Sequence, residues 1–182
     1  PSPKTTVDFA PETALKVLEI MGYPAVLKPT VGSWGRLVAL VRDRESAQAL
    51  IEAREEIRNA LLHVYYLQEL VKRPPRDIRI IVIGGETVAA SYRYAPPGEW
   101  RTNVARGGTS KPCPITPELQ ELALKAAEAV GGGVLAVDCM EGPEGFLINE
   151  VNSTIEFRGI SSTTEVNIAE RILDYAVRMV KK

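Results

Sequence analysis

Three polar side chains that could hold a divalent cation occur within fifteen positions in the C-terminal part of the sequence. Asp138 interrupts the apolar run VLAVDCM, and Glu150 and Asn152 interrupt FLINEVN. Alternation along a strand places Glu150 and Asn152 on one face, and an adjacent strand would bring Asp138 to the same side. Two carboxylates and an amide oxygen are hard ligands that suit Mg²⁺. Each residue alone could be a hydrogen-bonded core group, but the three together favour a metal site.

A second candidate for chemistry is the stretch VLKPTVGSWGR, residues 26–36. Its small residues would let backbone N–H groups approach phosphate oxygens, and Lys28 and Arg36 supply positive charge. The stretch matches neither GxxxxGK[ST] nor GxGxxG. On its own it could equally be a hairpin loop with incidental basic residues.

The composition restricts the class of protein. With 182 residues, 45% of them hydrophobic, the chain can form one core or two small lobes. A net charge of −1 gives no bulk attraction to nucleic acid or to anionic membranes. The sequence has no apolar run of about 20 residues, and its first residues lack the apolar core of a signal peptide. We therefore expect a cytoplasmic protein with neither nucleic acid nor membrane as a partner.

Cysteine and histidine offer little chemistry. Cys113 and Cys139 form neither a CxxC pair nor a disulfide framework, and His63 is the single histidine. This argues against histidine acid–base catalysis and most histidine-bearing metal sites.

Hydrophobic periodicity in the N-terminal part predicts a helix, a hairpin and a second helix. PETALKVLEIM is helical, YPAVLKP and RLVALV are strands on either side of the glycine loop, and DRESAQALIEAREEIRNALL is a helix opened by Asp43. VYYLQELV reads as a strand leaving this unit, and KRPPR is a breaker. The predicted lobes are 1–67 and 68–182, with the boundary near Gln68.

The C-terminal part predicts a mainly β unit. DIRIIVIGG and TVAASYRYA form an antiparallel pair with Asp77 and Arg79 on one face, followed by a long polar loop, PPGEWRTNVARGGTSKPCP. A helix capped by Thr116 leads to the two strands that carry the candidate ligands. The loop STIEFRGISSTTEV and a closing helix complete the unit.

Six segments occur in the order found in the ATP-grasp carboxylate–amine ligases: VLKPTVGSWGR, LQELV, RDIR, TNVARGG, AVDCM and INEVNSTIEF. Over essentially its whole length the chain most resembles the lysine and arginine biosynthesis ligases LysX and ArgX, which are relatives of the protein glutamate ligase RimK. GSWGR and NxARGG are the most specific parts. The resemblance implies an α+β fold of the ATP-grasp type, in which two α+β lobes hold ATP between two antiparallel sheets.

The resemblance also implies how the chain binds ATP. The phosphate lysine would be Lys28, and the mobile loop over the phosphates would consist of Gly32, Ser33, Trp34, Gly35 and Arg36. Trp34 either packs between the lobes or excludes water when the loop closes. The adenine would meet backbone groups of Glu69, Leu70 and Val71. Asp77 is the candidate for the ribose, although it could instead pair with Arg79.

Further roles are implied for the C-terminal lobe. The magnesium ligands would be Asp138, Glu150 and Asn152. The γ-phosphate and acceptor substrate would meet Arg93, Asn103, Arg106, Gly107 and Gly108, with Arg93 and Arg106 as the catalytic arginines. Asn152, Ser153, Thr154 and Arg158 would contact the amino-acid substrate, although Arg158 could be a solvated surface charge.

The implied reaction uses ATP and Mg²⁺ and no enzyme nucleophile. A substrate carboxylate attacks the γ-phosphate to give an acyl phosphate, which an amine then attacks. In LysX-type enzymes the carboxylate belongs to the C-terminal glutamate of a small acidic amino-group carrier protein, and the amine to α-aminoadipate or glutamate. A homo-oligomer is also implied. Two alternatives stay open: a RimK-type protein glutamate ligase and a non-catalytic ATP-binding module, although the full metal set argues against the module.

The sequence departs from the family in three places. Relatives have an N-terminal α/β domain with a second phosphate-contacting lysine, so we expect this chain to be a fragment or an incomplete record that binds ATP weakly. Glu165 stands where relatives commonly carry glycine. A charged side chain there could alter the loop that shapes the acceptor pocket, and with it carrier recognition and amino-acid choice. RGI at 158–160 lacks the asparagine–serine pair of aminoadipate-specific relatives, which favours glutamate or dual use.

Overall fold

The computed structural model describes residues 1–103, 105 and 107–181. These residues form two compact units, Pro3–Val71 and a second unit that runs from Lys72 to the C-terminal end and includes Pro1–Ser2. The division therefore falls at 71/72 rather than at the predicted 67/68. The difference arises because the strand at Tyr65–Glu69 pairs with strands of the first unit.

The described residues of the first unit form a four-stranded antiparallel sheet with two α-helices. Its elements are β1 (Thr5–Asp8), α1 (Pro11–Met21), β2 (Ala25–Lys28), β3 (Ala39–Val41), α2 (Arg44–Glu56), a 3₁₀ helix (Ala60–His63) and β4 (Tyr65–Glu69). The strand order is β1-β4-β2-β3. The predicted hairpin is present as β2 and β3, whereas β1 was not predicted because its mostly polar sequence carries little hydrophobic signal.

The start of helix α2 and the packing of both helices on the sheet follow from the sequence of the first unit. The side chain of Asp43 accepts a hydrogen bond from the Ser46 backbone N–H, and the Ser46 side chain completes a capping box, as the predicted start required. Leu18 of α1 and Ile51 of α2 are buried against Leu27 and Leu67 of the sheet. This packing fixes β2, which delivers Lys28 to the start of the glycine loop.

The described residues of the second unit form a five-stranded antiparallel sheet in the order β7-β6-β5-β8-β9. The elements are β5 (Arg76–Ile83), β6 (Glu86–Tyr94), β7 (Thr109–Pro112), α3 (Pro117–Ala129), β8 (Val134–Gly142), β9 (Gly145–Asn152), α4 (Arg158–Ser161) and α5 (Ile168–Val180). Strand β7 lies in the predicted long polar loop, and α4 lies in the predicted loop after β9. Both are four-residue elements, too short for a periodic signal.

The two faces of strand β5 have different environments. Ile78, Ile80 and Val82 pack in a core that also contains Leu119 of α3. On the opposite face, Ile81 and Ile83 pack in a second core with Ile160 of α4 and Ile168 of α5. Alternation places Asp77 and Arg79 on this second face, nearer the start of the strand.

Within the described part of the chain, none of the helices combines the length and apolar character that a membrane crossing requires.

Candidate functional site

The predicted metal ligands come together at the pairing of β8 with β9. Asp138 lies directly opposite Glu150 in the antiparallel register, and Nδ2 of Asn152 donates a hydrogen bond to Oε1 of Glu150 at 3.3 Å. The register shifts immediately after Asp138, where Cys139 pairs with Ile148 rather than with Asn149. Such a bulge re-aims side chains locally. Here it allows Ile148 to face the α3 core while Glu150 faces Asp138.

Two arginines hold the Asp138 carboxylate. Nε and Nη2 of Arg79 donate to its two oxygens at 2.8 and 2.9 Å, and Nη2 of Arg93 lies 2.9 Å from Oδ2. Arg93 also donates to both oxygens of Asp77, at 2.7 and 2.8 Å. Asp77, Arg93 and Asp138 are buried. Arg93 is therefore shared between two buried carboxylates.

The two facing carboxyl groups have opposite pKa shifts. Burial works to raise the pKa of Asp138, but the charge of Arg93 and the hydrogen bonds from Arg79 outweigh it and lower that pKa. The pKa of Glu150 is raised, first by desolvation at its protein-facing side and then by the negative charge of Asp138. The outer side of Glu150 is exposed to solvent. The pair thus favours a positive charge, either a proton or a cation, between the two carboxyl groups.

The donor set fits a Mg²⁺ ion. A carboxylate has about four lone-pair sites, and the arginines take three of those on Asp138, which leaves capacity on Oδ1 for a cation. Glu150 and Asn152 would add two further oxygen ligands, and such a site normally shares the ion with water and substrate phosphate. No group of three or more His, Cys, Asp or Glu side chains suited to a metal occurs in the described ranges 1–103, 105 and 107–181.

Asp77, the predicted ribose contact, has protein partners on both of its carboxylate oxygens. Asp77 is 7% exposed, and both its oxygens are bound by Arg93, while the Thr102 hydroxyl donates to Oδ2. The partner considered from the sequence, Arg79, binds Asp138 instead. This enclosure argues against a ribose contact and gives Asp77 an internal role instead.

Arg93 also departs from its predicted direct contact with the γ-phosphate. Its side chain lies between Asp77 and Asp138 and is 6% exposed, so its contacts are internal. Desolvation works to lower its pKa, but the charges of Asp138 and Asp77 reverse this and raise it, so the guanidinium stays protonated. Arg93 is placed to support Asp138 rather than to touch a substrate.

Arg79 is the residue of the candidate site that sequence reasoning missed. It binds Asp138 with two nitrogens, and its Nη1 donates to the backbone oxygen of Glu156 at 3.4 Å, which ties the chain after β9 to the carboxylate site. Its side chain is 18% exposed, compared with 6% for Arg93. The alternation in DIRII had placed it on the face of Asp77, which was the available signal.

The glycine loop of the first unit follows β2 directly. Lys28 ends that strand, with its ammonium 5.9 Å from the Tyr66 ring centre. Trp34 and Leu37 both have φ 59°, in the left-handed region that non-glycine residues rarely adopt. The Arg36 guanidinium lies 4.8 Å from the Trp34 ring centre. The predicted phosphate residues thus comprise Lys28 at the end of β2 and a largely exposed loop with an unusual backbone.

We expect nucleotide to order this loop, because backbone N–H groups of Gly32, Ser33 and Gly35 gain phosphate partners. With a non-hydrolysable ATP analogue and Mg²⁺ at a hundredfold excess over Kd, amide exchange across 32–36 should slow by up to about 100-fold. Amides of α2 serve as the internal reference. Unchanged exchange in the loop would count against the phosphate assignment.

The predicted adenine contacts lie at the end of β4. The Glu69 backbone N–H donates to the Lys4 oxygen at 3.0 Å, and Oε1 of Glu69 accepts from the Lys4 N–H at 2.9 Å. The N–H of Glu69 is therefore committed to the sheet. Leu70 and Val71 follow outside the strand, where adenine contacts stay a prediction.

The polar loop before β7 is anchored to the carboxylate cluster. Thr102 is buried and donates to Asp77. A Cβ on Gly108 would lie 2.9 Å from the backbone oxygens of Tyr94 and Thr102 and 3.1 Å from that of Asn103. Gly107 has φ 89°, and a Cβ there would lie 4.0 Å from the Pro96 side chain. Arg106, predicted to be catalytic and to bind substrate, lies outside the described residues.

The segment after β9 carries the predicted amino-acid contacts. Ser153 and Thr154 are exposed, and Arg158 is exposed at the start of α4. Ile160, the last residue of the RGI segment, is 2% exposed and packs in the core with Ile81 and Ile168. Substitutions at Ile160 would therefore affect stability first.

Comparison with known proteins places this geometry in a family context. The RimK-like ATP-grasp domain family matches residues 1–176. The glutamate–LysW ligase ArgX of Sulfurisphaera tokodaii is 39% identical over 176 residues, which are 96% of this chain and 62% of that protein. The α-aminoadipate–LysW ligase LysX of the same organism is 39% identical over 181 residues, 99% of this chain and 63% of that protein.

A solved structure agrees with the sequence comparison. The RimK domain ATP-grasp protein of Sphaerobacter thermophilus superposes with a TM-score of 0.74 at 26% identity, covering 96% of this chain and 61% of that one. The chain thus spans less than two thirds of the length of these relatives. The predicted ATP-grasp fold and α+β class are confirmed. The chain belongs to the family of RimK-like ATP-grasp domains.

Proposed function

We propose that the protein is an ATP-dependent carboxylate–amine ligase. The observation that carries this proposal is the cross-strand pair of Asp138 and Glu150, with Asn152 bonded to Glu150 and Arg79 bonded to Asp138. This set combines hard oxygen ligands with a partly exposed guanidinium. It suits the neutralisation of phosphate charge and contains no nucleophile of its own.

The reaction proceeds in two displacements. A substrate carboxylate oxygen attacks the γ-phosphorus of ATP, and the bond to ADP breaks, giving an acyl phosphate. An amine nitrogen then attacks the acyl carbon, the bond to phosphate breaks, and the amine loses a proton. A Mg²⁺ ion held by Asp138, Glu150 and Asn152 would neutralise charge on the phosphate oxygens.

The residues of this chain contribute binding and orientation. Lys28 and the glycine loop bind phosphate oxygens in the first unit. Arg79 holds the Asp138 carboxylate in place and presents positive charge at the rim of the cluster, where a developing phosphate charge would be stabilised. Arg106 is the second proposed cationic contact.

The acceptor substrates meet two segments that are both anchored at the carboxylate cluster. Thr102 ties the loop of Asn103, Gly107 and Gly108 to Asp77, and Arg79 ties the segment of Ser153 and Thr154 through the Glu156 carbonyl. We place the carrier's carboxylate and the amino acid between these segments.

The substrates follow from the relatives. LysX and ArgX are named for joining α-aminoadipate or glutamate to LysW. We propose that this protein joins the amino group of one of these amino acids to the C-terminal glutamate side chain of an acidic carrier protein, in lysine or arginine biosynthesis in the cytoplasm. The homo-oligomer implied by the sequence resemblance stays a prediction.

The test incubates the intact protein with ATP, Mg²⁺ and each amino acid, with and without an acidic carrier protein. The proposal requires carrier-dependent release of ADP and phosphate and a carrier whose mass rises by one amino-acid residue. Repeated additions to another protein's tail would indicate a RimK-type ligase. ATP binding without product would indicate a non-catalytic module.

Arg158 provides a test of amino-acid binding. Its guanidinium suits the distal carboxylate of glutamate or α-aminoadipate, because the fork binds both carboxylate oxygens. Arg158→Gln should raise the KM for the amino acid at least about tenfold, since a charge-assisted hydrogen bond contributes about 1.5–3 kcal/mol. The KM for ATP should stay within about twofold.

Arg178 is the matched control, because it is an exposed arginine in the last turn of α5, far along the chain from the site. Arg178→Gln should leave both constants unchanged. A rise in the KM for ATP in Arg158→Gln, with the amino-acid constant unaffected, would move Arg158 to the nucleotide site.

A further inference from the structure

The charged groups around Asp138 include the carboxylate of Asp77, which is not one of the proposed metal ligands. Direct contacts join Asp77, Arg79, Arg93, Asp138 and Glu150, which we call the charge cluster. When all are ionised, these two arginines and three carboxylates carry one net negative charge. This net negative charge favours binding of a divalent cation, and the loss of one carboxylate would leave the cluster with no net charge.

Arg93 divides its contacts between Asp77 and Asp138. Arg93 directs two nitrogens to Asp77, at 2.7 and 2.8 Å, and one of them also lies 2.9 Å from Asp138. All three side chains are removed from water, so solvent does not screen their interaction appreciably. The Thr102 hydroxyl also donates a hydrogen bond to Asp77, so the carboxylate has partners on β6 and on the loop before β7.

We propose that Asp77 is a positioning residue for the cation site. It binds the Arg93 guanidinium and so prevents that charge from neutralising Asp138, which keeps the Asp138 carboxylate available to a divalent cation. Asp77 does this without contacting the ion or the nucleotide. The inference rests on the proposed function, because the cation site at Asp138 belongs to it.

The test measures Mn²⁺ binding to the intact protein in the presence of ADP. The concentration of free Mn²⁺ is determined by electron paramagnetic resonance. Asp77→Asn should weaken Mn²⁺ binding about tenfold, because the cluster loses its net negative charge and Arg93 turns wholly to Asp138. Excess Mg²⁺ should restore most of the turnover of this variant. Lost packing alone would not respond to the cation concentration.

The double variant Asp77→Asn/Arg93→Gln separates charge from structure and removes a whole buried pair, which proteins tolerate better than half of one. It restores one net negative charge, so Mn²⁺ affinity should return to within about threefold of the wild type. A purely structural role predicts that the double variant binds more weakly than the single one. That result, or unchanged affinity in Asp77→Asn, would overturn the proposal.

Glu141→Gln is the matched control. Glu141 accepts two hydrogen bonds from Arg76, at 2.6 and 2.7 Å, and Arg76 is the neighbour of Asp77 on β5. The variant removes one carboxylate from a comparable pair outside the charge cluster, so its Mn²⁺ affinity should match the wild type. If the wild type itself binds no Mn²⁺ with ADP, the proposed cation site fails and this inference fails with it. If the wild type binds Mn²⁺ and Asp77→Asn binds it equally well, only the inference fails.

Discussion

Replacing Glu150 with glutamine should lower turnover on the order of 10²–10³-fold while leaving the fold as stable as before. The substitution keeps the shape of the side chain but removes one of the two negative charges that would hold the cation. Glu150 is exposed on its outer side and faces the like charge of Asp138, so the folded protein loses no favourable ion pair. The free energy of unfolding should change by less than about 1 kcal/mol.

Asp138→Asn is the informative comparison. It should abolish turnover to a similar extent, but it should also lower the free energy of unfolding by about 3 kcal/mol, because Arg79 and Arg93 lose a buried charged partner. The measurements are steady-state ADP release and urea unfolding of both variants. Near-normal turnover in either variant would remove the metal assignment. An equal loss of stability in Glu150→Gln and Asp138→Asn would show that Glu150 also stabilises the fold, despite its exposure.

This contrast between two predicted ligands could not be obtained from the sequence. Periodicity was sufficient to place Asp138 and Glu150 on adjacent strands with their side chains on one side, because each interrupts an apolar run. It could not show that Asp138 is enclosed by two arginines, since Arg79 and Arg93 belong to strands 59 and 45 residues away in sequence. Pairings across such distances depend on strand order and register, which local patterns do not specify.

The same limit explains the roles that had to be revised. The family resemblance had implied a ribose contact for Asp77 and a γ-phosphate contact for Arg93. The register that places Asp77 opposite Arg93 makes them partners of each other. The RGI segment was interpreted only in terms of amino-acid preference, but the short helix α4 turns Ile160 into the core.

Short polar elements were the part of the fold that the sequence concealed. Strand β7, with the sequence TSKP, exists because it pairs with β6 from Ser91 to Tyr94, and no hydrophobic alternation marks it. Its presence matters for the site, because it ends the loop that Thr102 anchors and brings Gly108 against the chain leaving β6. Tertiary pairing rather than local preference determines this strand.

Gly108→Ala should therefore be among the most damaging single methyl additions in the protein. The added Cβ would lie 2.9 Å from the backbone oxygens of Tyr94 and Thr102 and 3.1 Å from that of Asn103. Backbone oxygens cannot rotate away as side-chain atoms can, so the loop must move as a whole. We expect a loss of about 1–3 kcal/mol in the free energy of unfolding, as for overpacking in a core, together with a higher KM for the acceptor substrates.

The adjacent Gly107 supplies the control, because it is restricted for a different reason. It has φ 89°, and among the described residues an added Cβ would approach only Pro96, at 4.0 Å, so Gly107→Ala meets backbone strain without a close contact to them. Gly107→Ala should lower the free energy of unfolding by about 1 kcal/mol, and the KM for the acceptor substrates should change little. Urea unfolding and acceptor kinetics of the two variants decide between these accounts. A Gly108→Ala protein no less stable than Gly107→Ala would mean that the loop can yield around its backbone oxygens, and that Thr102 alone keeps it in place.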